Sequence, residues 1–315
     1  MVEAKLDLKM GKPTRDAFGE TLRDIGKADQ RIVVVDGDVN NSTRTEWFAK
    51  EAPERFFNLG IAESNMVGVG AGLAACGKIP FVASFAVFLW ANAFDQIRMN
   101  VGFQHENVKL VGSHAGISIG EDGPSQMGIE DVGLALSVPG VAVLVPADEP
   151  ETREAVRLAV EHDGPVYIRC GRAAVPIVYP SGCRLELGRA NSLREGNDVA
   201  IFANGLMVAE ALKAAEELAG QGIQARVLDF ASVRPIDEAA IEAAARETRG
   251  IVVAEEHLIQ TGLCAQVAQV VAVRHPARLR FVGLKETYAE SGPGPALLEK
   301  YGLTAKDIVA AARSL

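Results

Sequence analysis

Short apolar runs alternating with longer helical patterns constrain this chain more than any other feature. The runs at 32–36, 56–59, 80–85, 108–113, 141–146 and 166–170 are rich in valine and isoleucine and lack strict polar alternation. Such runs predict strands of a parallel sheet covered on both faces. Helices are expected between them at 15–28, 62–75, 88–102, 129–137 and 150–162. Pro150, flanked by Glu149 and Glu151, marks a helix start, since proline needs no N–H partner there and acids complement the dipole. The alternation predicts a doubly wound α/β domain.

The pattern breaks over 176–197, which holds Pro180, Ser181, Gly182, Gly188 and Gly196. That stretch reads as a linker, with 184–187 as a short edge strand. Strands are then expected at 199–203, 225–230, 250–255 and 279–284, alternating with helices at 206–219, 237–247, 262–275 and 304–312. The expectation is two α/β domains, residues 1–180 and a smaller one at 190–315, which a chain of 315 residues accommodates.

Composition narrows the functional classes. A net charge of −9 with no lysine/arginine run argues against nucleic acid as the main partner, because phosphate backbones require clustered positive charge. Cys76, Cys170, Cys183 and Cys264 form no C-x-x-C pair, so zinc ribbons and thioredoxin-type redox chemistry are unsupported. Scattered cysteines suit a reducing compartment. Residues 1–14 are polar and mixed in charge, unlike a signal peptide, and the apolar stretch 79–94 is interrupted by Pro80, Ser84 and Asn92. A cytoplasmic protein without a membrane span is expected.

Several constellations can carry chemistry. Glu63 opens a helix rich in glycine and alanine, with Met66 and Val67 where a compensating cation would stand. An acid at a helix N-terminus is ordinarily just a dipole partner. Its apolar and small neighbours point instead to an enclosed carboxylate; enclosure raises a pKa and the dipole lowers it, and the sum stays open. Phe85, Phe88 and Trp90 fill a core or form a stacking slot for a flat ring. The glycine-rich loop 112–126 carries His114 at a strand end and Asp122 in a Glu-Asp-Gly-Pro turn, which favours binding. Asp36-Gly37-Asp38 is a weak metal candidate with Ser42 nearby. Arg15 and Arg172 can clamp a phosphate, and Glu255-Glu256-His257 is a site or an interface. Gly68-Val69-Gly70-Ala71-Gly72 fails the dinucleotide fingerprint, because Leu73 takes the third glycine's place, and no P-loop exists.

Read together, these motifs resemble the transketolase family in the family's own order. They are Thr14-Arg15-Asp16, Asp36-Gly37-Asp38, Gly60-Ile61-Ala62-Glu63-x-Asn65-Met66, Phe85-x-x-Phe88, Phe94-Asp95-Gln96-Ile97-Arg98, Gly120-Glu121-Asp122-Gly123-Pro124-x-Gln126 and Glu290-Ser291-Gly292. The resemblance covers that family's pyrimidine-binding and C-terminal domains. The diphosphate-binding domain, with its Gly-Asp-Gly…Asn element, has no counterpart here. It implies the C-terminal subunit of a split transketolase: a self-dimer whose partner subunit holds Mg²⁺ and the diphosphate of thiamine diphosphate.

The resemblance also assigns roles. Glu63 would hydrogen-bond the pyrimidine ring, Phe85 and Phe88 would stack on it, and Asp38 would lie near the thiazolium. His114 would act in catalysis, with Asp122 and Gln126 contacting the sugar, and Arg15, Ser42 and Arg172 binding its phosphate. A third aromatic found in some members is replaced by Ala91, and Gln126 stands where some relatives have histidine. The implied reaction moves a two-carbon ketol unit from a ketose phosphate to an aldose phosphate. Deoxyxylulose phosphate synthase, the beta subunit of 2-oxo-acid dehydrogenases, and a non-catalytic subunit of the same fold are the alternatives.

Overall fold

The computed structural model describes residues 8–315. Expectations resting on residues 1–7, including the start of the first domain, lie outside the described residues. The N-terminal half runs β1 (Met10–Pro13), α1 (Thr14–Ala28), β2 (Ile32–Asp36), α2 (Asn40–Thr43), α3 (Glu46–Glu51), β3 (Phe56–Asn58), α4 (Glu63–Ala75), β4 (Ile79–Phe85), α5 (Ala86–Gln96), β5 (Lys109–Ser113), α6 (Asp131–Ser137), β6 (Ala142–Leu144), α7 (Glu149–Glu161), β7 (Val166–Arg169) and β8 (Ala174–Pro176). The C-terminal half runs β9 (Asn191–Arg194), β10 (Val199–Ala203), α8 (Met207–Gly220), β11 (Ala225–Asp229), β12 (Ser232–Arg234), α9 (Glu238–Glu247), β13 (Ile251–Leu258), α10 (Leu263–Arg274), β14 (Leu279–Leu284), α11 (Gly294–Lys300) and α12 (Ala305–Arg313).

Two α/β layers result, as the alternation predicts. The first sheet has strand order β12-β6-β7-β5-β4-β2-β3 and is parallel except at β12. Ile32, Val34, Phe81 and Val111 face α1, α3 and α7, while Val35, Val82 and Leu110 face α4, α5 and α6. Burial on both faces explains why these strands read as unbroken apolar runs. The second sheet has order β14-β13-β10-β11-β9, antiparallel only at β9. One apolar cluster joins the two layers, linking Leu89 and Val132 with Phe202, Phe230 and Leu263. Among the described residues no helix is long and apolar enough to cross a membrane.

The differences from expectation are local and have tertiary causes. The 88–102 helix starts at Ala86 and ends at Gln96; Ile97–Gly102 winds as a π-helix, with Gly102 packed so tightly on Val138 that a side chain would collide. Residues 184–187 form no strand. Only Leu185 there is buried, and β9 pairs with β11 instead. No local pattern marks β12, which leaves the C-terminal half to pair with β6, or the β1–β8 ribbon.

Polar groups stitch the halves together. Arg169 is buried against Asp131 at 2.8 Å and donates to the Gly128 and Glu256 carbonyls, while the Tyr167 hydroxyl also donates to Asp131. Glu256 accepts from the Ser118 N–H, Glu255 accepts from the Leu263 and Cys264 N–H groups, and His257 lies 3.8 Å from Asp131. Glu255-Glu256-His257 is therefore interface structure. Nearby, the carboxyls of Glu151 (α7) and Asp229 (β11), both fully buried, face each other across the halves, and Oε1 of the first and Oδ1 of the second have no hydrogen-bond partner among the described residues. Burial pushes Glu151 well up and Asp229 up to about 7, so the pair holds a proton at neutral pH.

Candidate active site

Sheet register brings the sequence candidates to one edge. Asp36 pairs with Asn58 on β3 and with Ala83 on β4, and Phe85 pairs with Ser113 on β5. The chain leaves these parallel strands at their carboxyl ends, so the segments carrying Asp38, Glu63, Phe88 and His114 emerge side by side, at the edge where such sheets bind ligands.

Glu63 is the first residue of α4 and only 4 % exposed. Its Oε1 accepts from the Ser84 hydroxyl at 3.1 Å and its Oε2 from the Asn92 amide at 3.2 Å. Among the described residues no lysine or arginine pairs with it. Gly70 lets α4 lie close on β4: a Cβ there would stand 2.6 Å from a Val82 methyl. Phe88 is half-exposed beside this carboxylate's strand and helix, its ring 5.8 Å from that of Phe85 and nearly parallel. Phe85 is almost covered, and the His114 ring stacks on it at 4.0 Å. Phe88 is thus the ring with free surface. Trp90 is wholly buried, edge-on to Tyr167, so for that residue core filling wins.

Next to this slot lies a cluster of cations around a neutral imidazole. His114 has a left-handed backbone, with φ of 56°, and its side chain is buried. Its Nδ1 lies 2.8 Å from the Ser113 hydroxyl and its Nε2 lies 2.9 Å from Nη1 of Arg15. That Nη1 also donates to the Ser42 carbonyl at 3.0 Å, while the buried Nε of Arg15 makes no hydrogen bond among the described residues and lies 3.7 Å from Asp16 Oδ1. Arg172 donates to the Ile119 carbonyl and to Asp122. Burial, then the charges of Arg15, Arg172 and Arg44, lower the His114 pKa to about 3. Burial, with Arg44 nearby, lowers Arg15 to about 10. Crowded guanidiniums with an N–H that makes no hydrogen bond favour an anion, and a fork of donors suits a phosphate or carboxylate.

Other candidates sit differently. Ser42 meets Arg15 through its carbonyl rather than its hydroxyl. Asp38 is exposed, with φ of 64°, and accepts from Asn58. Asp36 is unavailable to a metal: its carboxylate accepts from the Val39 N–H and the Thr43 and Thr45 hydroxyls, each at 2.8 Å. Gln126 ends a short 3₁₀ turn, half-buried, with no side-chain hydrogen bond among the described residues. Sequence reasoning assigns no role to Ser84, Asn92, Ser113 or Arg44. Ser84 carries a signal, being a hydroxyl in an otherwise apolar buried strand, where a polar group must find a partner.

The C-terminal half shapes this site from behind. Gly116, with φ of 78°, lies directly against the Glu256 carboxylate, and Gly123, with φ of 83°, against the Ser291 hydroxyl. No side chain fits at either position. The loop bearing His114 and Asp122 is thereby clamped, which explains why it is rich in glycine and why Glu290-Ser291-Gly292 accompanies it.

Residues 11–177 match the transketolase pyrimidine binding domain and residues 188–308 the transketolase C-terminal domain. A 6-deoxy-6-sulfo-D-fructose transketolase subunit of Clostridium sp. strain MSTE9 is 42% identical, over 96% of this chain and 94% of that one. A subunit of the apulose-4-phosphate transketolase of Phocaeicola vulgatus is 37% identical, over 93% of this chain and 94% of that one. A split-gene transketolase solved as an inactive beta4 tetramer superposes with a TM-score of 0.88 and 46% identity, covering 96% of this chain and 98% of that one. With both domain models matched in order, the chain belongs to the transketolase family.

Proposed function

We propose that this chain is the pyrimidine-side subunit of a thiamine-diphosphate transketolase, completed by a partner subunit that carries the diphosphate-binding domain and Mg²⁺. The division is residues 1–180 for the pyrimidine-binding domain and 190–315 for the C-terminal domain. The observation that carries the reading is Glu63, an enclosed carboxylate beside a half-exposed Phe88 and a cationic pocket on the same sheet edge. Thiamine diphosphate, when bound, supplies a carbon nucleophile and an electron sink for carbon–carbon cleavage. The donor set fits its aminopyrimidine: Glu63 holds a proton at a ring nitrogen, and Phe88 packs on the flat ring with Phe85 behind it.

On the substrate side, Arg15 and Arg172 orient the phosphate, His114 and Asp122 meet sugar hydroxyls, and Gln126 and the Ser42 turn close the pocket. Asp38 borders the reacting centre. The surface of α4 and of the turn before it supports a second chain pressing on this side. Ile61 is 83 % exposed, and a Cβ at Gly72 would meet nothing within this chain, so these positions have no internal packing reason. A self-dimer flanked by two partner subunits accounts for it. The reaction is transfer of a two-carbon ketol unit between sugar phosphates in the cytoplasm.

The test mixes this chain with a subunit carrying Gly-Asp-Gly…Asn, thiamine diphosphate, Mg²⁺, a ketose phosphate and an aldehyde acceptor. Ketol transfer is expected only from the pair, and Glu63→Ala should abolish it while the chain still folds and assembles. Unchanged turnover in that variant removes the catalytic assignment. Release of carbon dioxide from pyruvate would instead favour a decarboxylating synthase.

A further inference from the structure

Both oxygens of Glu63 are held, and one of the two holders is tied down in a way its exposure does not suggest. The Ser84 hydroxyl reaches Oε1 at 3.1 Å from β4, where Ser84 is buried and in register with Gly112. The Asn92 side chain reaches Oε2 at 3.2 Å from α5, and Asn92 is exposed. A carboxylate only accepts, so Asn92 must present its NH₂ group. An exposed amide ordinarily exchanges such a bond for water at little cost. Here the main chain of the same residue is fixed. The Ser64 hydroxyl donates to the Asn92 carbonyl at 2.6 Å, and α5 departs from helical geometry at the next residue, Ala93, with φ of −113° and ψ of 15°. A side chain that captures a helix carbonyl is one cause of such a break. Glu63 and Ser64, the first two residues of α4, thus both grip Asn92, one through its amide and one through its backbone.

We propose that Asn92 is a positioning residue for Glu63: with the Ser84 hydroxyl on the other oxygen, its amide fixes the plane in which the carboxylate meets the aminopyrimidine. The proposal rests on reading this slot as the thiamine diphosphate site. The last torsion of a glutamate side chain is broad, so an unheld carboxylate turns about it. Two donors on separate elements, a strand and a helix, stop that rotation. A carboxylate has about four lone-pair sites, so both oxygens keep one for a ligand. A hydrogen bond to a ring nitrogen is strong only when it lies near the carboxyl plane, which makes orientation count. Once the cofactor and a second chain cover the slot, water no longer competes for the Asn92 amide and the bond tightens. Because Ser64 holds the Asn92 carbonyl rather than its side chain, removing the amide leaves the tie between α4 and α5 in place.

The contact is read directly in the unloaded full chain by ¹⁵N NMR of labelled asparagine side chains, the Asn92 signals being assigned by their loss in Asn92→Ala. The two amide protons should be well separated, and Glu63→Ala should bring them together. Signals indifferent to Glu63→Ala overturn the inference, whatever the enzyme's activity. In the reconstituted pair saturated with thiamine diphosphate and Mg²⁺, exchange of the cofactor's thiazolium C2 proton for deuterium reads the placement of Glu63 before any sugar binds. Asn92→Ala should slow that exchange about tenfold, the loss expected of one hydrogen bond to a charged group, with the Kd for thiamine diphosphate within about threefold. Asn92→Asp, which sets a like charge against the carboxylate, should slow it further. Exchange unchanged in Asn92→Ala, or restored in Asn92→Asp, removes the positioning role. A wild-type pair that neither binds thiamine diphosphate nor exchanges that proton refutes the proposed function instead, and the amide spectrum then decides whether Asn92 holds Glu63.

Discussion

Replacing the acid pair between the halves, Glu151→Gln with Asp229→Asn, should change how stability depends on pH. Both carboxyls are fully buried and face each other, each with one oxygen that has no hydrogen-bond partner among the described residues. The groups facing them are Asp148, whose oxygens cap the α7 N-terminus and hold the Val178 and Tyr179 N–H groups, the Tyr179 hydroxyl on Asp229, and Cys183. No cation is among them. Their folded pKa values are raised, so the stability they contribute is complete below the unfolded carboxylate range and is lost as pH rises through the folded values. Between about pH 5 and pH 7 the folded chain holds at least about one proton more than the unfolded chain, and unfolding free energy falls by at least about 1.4 kcal/mol per pH unit from this pair. Urea unfolding of both proteins, followed by circular dichroism at a series of pH values, reads the slope separately from any overall loss of stability. The double variant should lack this component, so its stability relative to wild type should rise by at least about 2.7 kcal/mol from pH 5 to pH 7. Two parallel pH profiles would show that no proton is shared, and the argument would fail.

Other outcomes follow from the site and its clamp. Gly116→Ala forces a Cβ into the buried Glu256 carboxylate at a left-handed backbone position, and should destabilise the chain by about 3 kcal/mol in urea unfolding; a loss below about 1 kcal/mol would mean the loop is free to shift. Arg172→Gln removes a charge-assisted donor from the proposed phosphate pocket and releases Asp122, and should raise KM for a ketose phosphate by about tenfold or more. The same variant should act equally on an unphosphorylated ketose if Arg172 serves another purpose.

Both α/β layers are legible in the sequence because their strands are buried on both faces, and that burial writes itself as runs of valine and isoleucine. The 88–102 helix differs from expectation at its C-terminal end, where it widens over Ile97–Gly102 and Gly102 packs closely on Val138, a contact no local pattern encodes. At 184–187 the alternation imitates a strand, yet it records only the burial of Leu185. Glu63 is conspicuous because an acid among small and apolar residues needs a partner; the partners, Ser84 and Asn92, lie 21 and 29 positions away and are ordinary in their own surroundings. Phe85 is visible as an aromatic, but its stacking on His114 depends on the register of β4 against β5, which no local pattern encodes. The metal reading of Asp36 fails for a similar reason, since Thr43 and Thr45 return to it only after the chain turns.

Ser232–Arg234, the three residues of β12, close the outer rim of a sheet whose other six strands all come earlier in the chain. A protease that nicks the connecting stretch around Gly182 would therefore not release two independent pieces; the fragments would stay joined through the borrowed ribbon. Expressing the first fragment alone would leave β6 with an open hydrogen-bonding rim, ready to recruit a stranger's backbone.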